Sequence, residues 1–252
     1  MQGLLQLVDA ELWKLQKSKR TRLVLITMGL LPWMGRFIAI LVLKADANGI
    51  KGMFEGMEMT MPLFTSVVTA VLAISNLGSE FESGTLKTLI IQGVARWQIL
   101  LAKAMAIVVI STLAVLLWGL GLFLASGNLG AIGWQEIQTL FACTLISFAY
   151  TGLIFAVAMS GRSSISTFFG LLIYLADVSM ILTMGSPPAV GPTSSSWVAR
   201  AIWRVGPFSI LINGLNLVTV TVPADALPEI GLLILFGVTG LGFSMFVFSM
   251  QE

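Results

Sequence analysis

The chain has 252 residues, of which 57% are hydrophobic and 10% are charged, and its formal net charge is +2. Because a soluble domain carries roughly a quarter charged residues, this composition and a mean hydropathy of +0.95 exclude a soluble domain and predict an all-α integral membrane protein. Histidine is absent, Cys143 is the single cysteine, and no phosphate-binding or hydrolase motif occurs. We therefore expect no metal site, no cofactor, no disulfide framework and no catalytic centre in this chain.

An amphipathic helix is predicted at residues 4–20, ahead of the first long apolar run. Leu5, Val8, Leu12 and Leu15 recur at helical spacing, and the charged side chains lie mostly off that apolar stripe. We interpret this segment as a helix that lies in the membrane interface. The alternative is a solvated start to the first membrane span.

Six membrane spans are predicted in a single transmembrane domain, because about 20 apolar residues are needed to cross a bilayer core as a helix. They cover residues 23–43, 61–77, 99–124, 137–159, 165–184 and 230–248. Nine basic residues fall on one side of the membrane: Lys14, Lys17, Lys19, Arg20, Arg22, Lys87, Arg96, Lys103 and Arg162. Four fall on the other side: Lys44, Lys51, Arg200 and Arg204. Since basic residues concentrate in cytoplasmic loops, we expect both termini in the cytoplasm.

The loop over residues 78–102 is predicted to be cytoplasmic and to contain a short helix at 84–93. Thr85 can satisfy a free N–H group at the start of that helix, and Gly93 provides a natural stop. A helix of about two turns is not stable alone in water. Its small apolar face, formed by Leu86, Leu89 and Ile90, therefore indicates a partner surface.

The loop over residues 185–228 is predicted to be external and is nearly free of charge. Two proline-containing breaks, at 187–188 and 191–192, interrupt the chain. Non-helical backbone at membrane depth must be surrounded by protein or by a water-filled cavity. We therefore expect one or two interfacial or re-entrant helices before the last span.

The cytoplasmic loop resembles the corresponding loop of type-2 ABC transporter permeases. The resemblance lies in E-F-E-S-G-T-L-K-T-L at residues 80–89, followed by G-V-A-R-W-Q-I-L-L-A-K at 93–103. The opening A-E-L-W-K-L at residues 10–15 is similar to the N-terminal elbow helix of that family. Compact chains of this kind resemble the permeases of bacteriocin-immunity, antibiotic-efflux and peptide-export systems.

The resemblance implies a coupling helix that contacts a cassette ATPase through Glu80, Glu82, Gly84, Thr85, Leu86 and Lys87. It also implies two ATPase copies that bind ATP and Mg, and a second permease subunit in a homodimer or heterodimer. The expected location is a bacterial cytoplasmic membrane, with lipid around the spans and no nucleic-acid partner. The alternative for these six residues is an ordinary solvated turn with a capped helix start.

Arg36 and Asp177 are the ionisable residues deep within the predicted spans. An isolated charge at the centre of an inserted helix costs ~2.5–3.5 kcal/mol on translocon scales. At ~1.5 Å per residue, both residues lie ~20 Å from the inner boundary. The matching depth predicts a pair between the first and fifth spans, either structural or in contact with cavity water. A direct role in substrate binding is the alternative.

Four glycines in the last predicted span indicate close helix packing, with a subunit interface as one alternative. They are Gly231, Gly237, Gly240 and Gly242. The resemblance to type-2 ABC permeases implies the permease subunit of an ATP-driven exporter, and the lack of a visible charged cavity lining favours an amphipathic or hydrophobic peptide, antibiotic or lipid as cargo. The alternatives are a stand-alone secondary transporter or channel, an intramembrane enzyme, and a sensor that uses the same fold.

Overall fold

The structure is a computed structural model that describes residues 2–41, 47–83, 94–126, 134–161 and 226–250, with the single positions Ile210 and Leu217. Six α-helices account for nearly all of the five continuous ranges, and no strand occurs in them. These helices are α1 (Gln2–Lys17), α2 (Lys19–Leu41), α3 (Ala47–Ser83), α4 (Arg96–Ser126), α5 (Trp134–Gly161) and α6 (Leu227–Ser249). The described part of the chain is therefore all-helical, as the composition predicts.

Four helices of the described part are long and apolar enough to cross a membrane. The qualifying segments are Met61–Gly78 of α3, Arg96–Leu122 of α4, Ile137–Ser160 of α5 and Leu227–Ser249 of α6. They coincide with the second, third, fourth and sixth predicted spans. The first predicted span lies mostly on α2, which contains Pro32, and the fifth, at 165–184, lies outside the described residues. A total of six spans stays a prediction.

The helices on either side of the loop that is predicted to be cytoplasmic are longer than the predicted spans. α3 has 37 residues and continues to Ser83, and α4 begins at Arg96. Helical structure therefore extends past the predicted end of the second span at 77, because hydropathy falls after Leu77 while the helix continues through a polar stretch. The predicted coupling helix at 84–93 lies outside the described residues, as does nearly all of the loop that is predicted to be external.

The core lies between α3, α4 and α5, with α1 and α2 packed against α4. Trp118 of α4 is buried and stacks on Phe64 of α3, with 4.4 Å between the ring centroids. A buried hydrogen bond of 3.0 Å from Thr69 Oγ1 to Ser147 Oγ joins α3 to α5. These contacts make the central helices one packed body.

The last helix, α6, packs on α5 through glycines. A Cβ atom at Gly152 of α5 would lie 2.5 Å from the backbone oxygen of Gly237, and one at Gly240 would overlap the backbone of Gly152. At Gly231 and Gly242 an added Cβ would meet nothing within 4 Å. The predicted close approach is therefore found at Gly237 and Gly240, where small residues let two backbones meet. The partner there is α5 of the same chain.

Candidate coupling site between α1, α3 and α4

The helix α1 buries one face against α4, and that face contains an acid. Val8 and Leu15 are buried, and Glu11 lies between them at helical spacing, so the three side chains share a side of the helix. Glu11 is 9% exposed. The apolar stripe predicted from the sequence places Glu11 off the packed face. It is packed nevertheless, because a basic side chain of α4 meets it.

That basic side chain is Lys103, which is 0% exposed. Its Nζ donates to Glu11 Oε1 at 2.7 Å and to Glu80 Oε1 at 2.6 Å. Glu80 belongs to the last turns of α3 and is 2% exposed. A single ammonium group therefore joins α1, the end of α3 and the start of α4. A fully buried lysine is rare in proteins unless its charge is paired in this way.

Glu80 has a second cationic partner at the surface. Lys14 of α1, whose side chain is 48% exposed, forms an ion pair with Glu80 Oε1. The resulting ion network, formed by Glu11, Lys14, Glu80 and Lys103, balances two carboxylates with two ammonium groups. Glu11 Oε2 and Glu80 Oε2 are buried without a hydrogen-bond partner among the described residues. The network is therefore neutral in charge but only partly satisfied in hydrogen bonding.

The joint between α1 and α2 is attached to α3 as well. Ser18 connects the two helices, and its N–H donates to the backbone oxygens of Lys14 and Leu15 at 3.1 and 3.0 Å. Just after the joint, Arg20 Nη1 donates to Ser75 Oγ of α3 at 2.8 Å. The end of α3 is thus held by α1 through Lys14 and by α2 through Arg20.

The start of α4 also holds the end of α6. Arg96 Nη1 donates to the backbone oxygens of Phe248 and Ser249 at 2.8 and 3.2 Å. Its guanidinium carbon lies 5.7 Å from the centroid of the Phe248 ring. α6 has no basic residue in its own last turn. Arg96 therefore supplies the positive charge that favours a helix C-terminus.

A family model described as ABC-2 family transporter protein matches residues 7–185, which is more than half of the chain. The chain belongs to the ABC-2 transporter family. The match runs from α1 through α5 and includes every member of the ion network. No curated protein matches the chain.

Membership in the ABC-2 family makes this chain a multi-pass membrane protein and an ABC permease. ABC-2 permeases in general work with an ATPase partner and dimerise. The predicted family is thereby confirmed. The four apolar helices of the described part agree with a transport protein of this class.

The predicted ATPase contacts of this ABC-2 permease are described only in part. Glu80 lies on α3 and is buried in the ion network, so its partners in the chain are Lys103 and Lys14. The side chain of Glu82 lies outside the described residues, as do Gly84, Thr85, Leu86 and Lys87 in full. Their contact with an ATPase stays a prediction.

Only one member of the predicted intramembrane pair lies among the described residues. Arg36 lies on α2 with a half-buried side chain, whereas Asp177 lies outside the described residues. A pair between them stays a prediction.

The ion network was not predicted from the sequence. The sequence feature that could have revealed it is Lys103, a cation four residues inside the third predicted span, where an apolar side chain is expected. A charge within an apolar run needs a partner, and Glu11 and Glu80 are carboxylates on the same predicted side of the membrane. Their pairing with Lys103 required the packing of α1 and α3 on α4.

Proposed function

We propose that this chain is the membrane-spanning permease subunit of an ATP-binding cassette exporter. It forms the translocation path for an amphipathic or hydrophobic substrate such as a peptide, an antibiotic or a lipid. The family match over residues 7–185 carries the proposal. The ion network supports it, because both helices that flank residues 84–93 are attached to other helices of the chain.

Energy comes from two separate ATPase subunits, which bind ATP and Mg. They dock at residues 80–93, where the predicted contacts are Glu80, Glu82, Gly84, Thr85, Leu86 and Lys87. Of these, Glu80 is also a member of the ion network. This chain contributes no catalytic residue. A second permease subunit, identical or related, completes the transporter in a bacterial cytoplasmic membrane, with both termini in the cytoplasm.

Movement of the docked segment acts on both of its flanking helices. The upstream flank is α3, whose end is held by Lys103 and Lys14. The downstream flank is α4, whose start holds α6 through Arg96. Because packed helices are stiff elements that shift as bodies, a push on the segment tilts several helices together. Such tilting opens a path between subunits or toward the lipid.

Within the part of the chain that the structure describes, we place the substrate path outside the packed core of α2, α3 and α4. The cavity between α2, α3 and α4 has a volume of ≈ 10 Å³, which holds about one water molecule. It is lined by Met28, Met61 and Trp118, among others. Large apolar side chains of α2 and α6, such as Phe37 and Phe246, are exposed instead, and they suit contact with lipid, a second subunit or apolar cargo.

The test is reconstitution in inside-out vesicles with the cassette ATPase that co-purifies with the chain. The probe is a fluorescent amphipathic peptide, and the measurement is its movement with ATP, without ATP and with a hydrolysis-deficient ATPase. We expect movement only with ATP and the active ATPase. A chain that retains no ATPase on purification and moves the probe down an ion gradient would instead support a secondary transporter or channel.

A further inference from the structure

We propose that Lys103 is a positioning residue for energy coupling, which keeps α1 fixed to the end of α3 and the start of α4. These three elements then move as one unit when the segment between α3 and α4 is displaced. The proposal rests on the proposed function and adds a part of its mechanism that lies within the described helices.

The ammonium group of Lys103 is the point at which the three elements meet. Its Nζ lies 2.7 Å from a carboxylate oxygen of α1 and 2.6 Å from one of α3. The two carboxylates come from Glu11 and Glu80, which are separated from Lys103 by 92 and 23 positions in the chain. Any relative sliding of these elements therefore separates a buried charge from its partner.

Stability alone is a poor reason for this network. Removing charges from water carries a large penalty, and apolar side chains of similar volume commonly give an equally stable core. Here the penalty is increased, because Glu11 Oε2 and Glu80 Oε2 are buried without hydrogen-bond partners among the described residues. What an ion network offers beyond apolar packing is a single preferred register of the elements it joins. That property is what a mechanical link requires.

The network also resists separation of the helices that it joins. In a buried site, separating an ammonium group from its carboxylates leaves both unpaired at low dielectric constant. Apolar contacts, by contrast, are non-directional and do not pair one specific atom with another. The network therefore transmits a displacement of the α3 end to α1 rather than absorbing it.

The variant that tests the proposal is charge-balanced. Lys103→Met with Glu11→Gln removes one cation and one anion together, and it leaves Glu80 paired with Lys14. Glu80 is a predicted ATPase contact, so its preservation separates the inference from ATPase docking. The matched control is Lys17→Gln, because Lys17 is on the same helix as Glu11 and its Nζ lies 3.8 Å from the centroid of the Trp13 ring, outside the ion network.

The measurement is the amount of fluorescent amphipathic peptide moved per ATP hydrolysed by the reconstituted transporter. We expect the double variant to fold with a melting temperature close to that of the wild type. We also expect it to lose about fivefold in peptide moved per ATP, a typical size for a change in coupling. Lys17→Gln should match the wild type. A folded double variant with wild-type peptide movement per ATP would overturn the inference.

A second variant tests the positioning role of Lys103 if the double variant does not fold. Glu11→Gln alone keeps Lys103 paired with Glu80 and removes the carboxylate through which α1 binds Lys103. It is expected to lower peptide movement per ATP by about twofold, and an unchanged value overturns the inference. Absence of ATP-dependent movement in the wild type would overturn the proposed function and the inference together. Unchanged variants beside an active wild type would overturn the inference alone.

A distance measurement tests the common movement directly. Spin labels on Gln6→Cys of α1 and Met105→Cys of α4 lie at exposed positions, whereas the native Cys143 is buried. In the wild-type background we expect one label separation that is the same in the nucleotide-free and ATP-bound transporter. In the double variant we expect the separation to differ between the two states. A separation that already changes in the wild-type background contradicts movement of α1 and α4 as one unit.

Discussion

Among individual side chains of the described part, Lys103 combines complete burial with two acidic partners. Glu11 depends on it for charge compensation, whereas Glu80 is also paired with Lys14. Removing one member of a buried ion pair is far more damaging than removing the pair, because an unpaired charge remains. This asymmetry gives a direct test of the network.

Lys103→Met alone should lower the free energy of unfolding by about 3–5 kcal/mol. Adding Glu11→Gln should recover most of that loss, since Glu80 keeps Lys14 as its partner. Reversible unfolding in detergent, followed by circular dichroism, measures both values. Lys17→Met is the control and should change the free energy by less than about 0.5 kcal/mol, as expected at the surface. If the single and double variants were equally destabilised, the two side chains would not be energetically linked.

Glycines of α5 and α6 allow a second comparison. Gly240→Ala should destabilise the chain by about 1–3 kcal/mol through overpacking, because the added Cβ overlaps the backbone of Gly152. Gly242→Ala meets open space and should be neutral or stabilising by up to about 1 kcal/mol, the helix propensity difference. Thermal unfolding of the two variants in one detergent measures the contrast. Equal melting temperatures would show that α5 and α6 are not in close contact at Gly240.

Among the helices, α4 contacts three others within its first turns. Its first residue, Arg96, binds the end of α6, and Lys103, two turns later, binds α1 and α3. A basic residue at a helix N-terminus is locally unfavourable because of the helix dipole. The position of Arg96 at the start of α4 is therefore explained by its contact with the C-terminus of α6, where a positive charge is favourable.

Arg96→Gln should increase fraying of the last turn of α6. The loss of two charge-assisted hydrogen bonds and of the dipole interaction should lower local stability by about 1–2 kcal/mol. Hydrogen exchange of residues 244–250 measures this directly, and those amides should exchange roughly tenfold faster. Arg22→Gln is the control, because the Nε of Arg22 donates to the backbone oxygen of Gln16, far from α6 in the chain. Unchanged exchange in Arg96→Gln would show that α6 ends without help from α4.

The positions of most described helices along the chain were predictable from the sequence. The features that the sequence analysis missed have a common cause. The spans on α3, α4, α5 and α6 follow from runs of apolar residues, which are a local property. The extension of α3 to Ser83 and the burial of Glu11 were missed, because polar side chains there are compensated by a distant partner, Lys103. A side chain 92 positions away leaves no trace in local periodicity.

At the scale of the whole molecule, the proposed permease must bind an ATPase subunit in order to receive energy from ATP. The segment 84–93 is the predicted contact, and Leu86 belongs to its predicted apolar face. Leu86→Asp should weaken association with the ATPase at least about tenfold, which corresponds to ~1.4 kcal/mol. Co-purification of the ATPase with the solubilised permease measures this. The control is Leu227→Asp, at an exposed position at the start of α6, on the predicted external side; equal losses in the two variants would contradict docking at 84–93.

The order of residues along the chain is enough to show that this is a helical membrane protein, where four candidate spans lie, and to which family it belongs. Those properties depend on runs of apolar residues and on a short contiguous motif, so they are present in the unfolded chain. Helix packing, by contrast, pairs Glu80 with Lys103 and Lys14, buries Glu11, and places Gly240 rather than Gly242 against α5. The physical reason is that a charge or a small residue acquires its role from the helix packed against it.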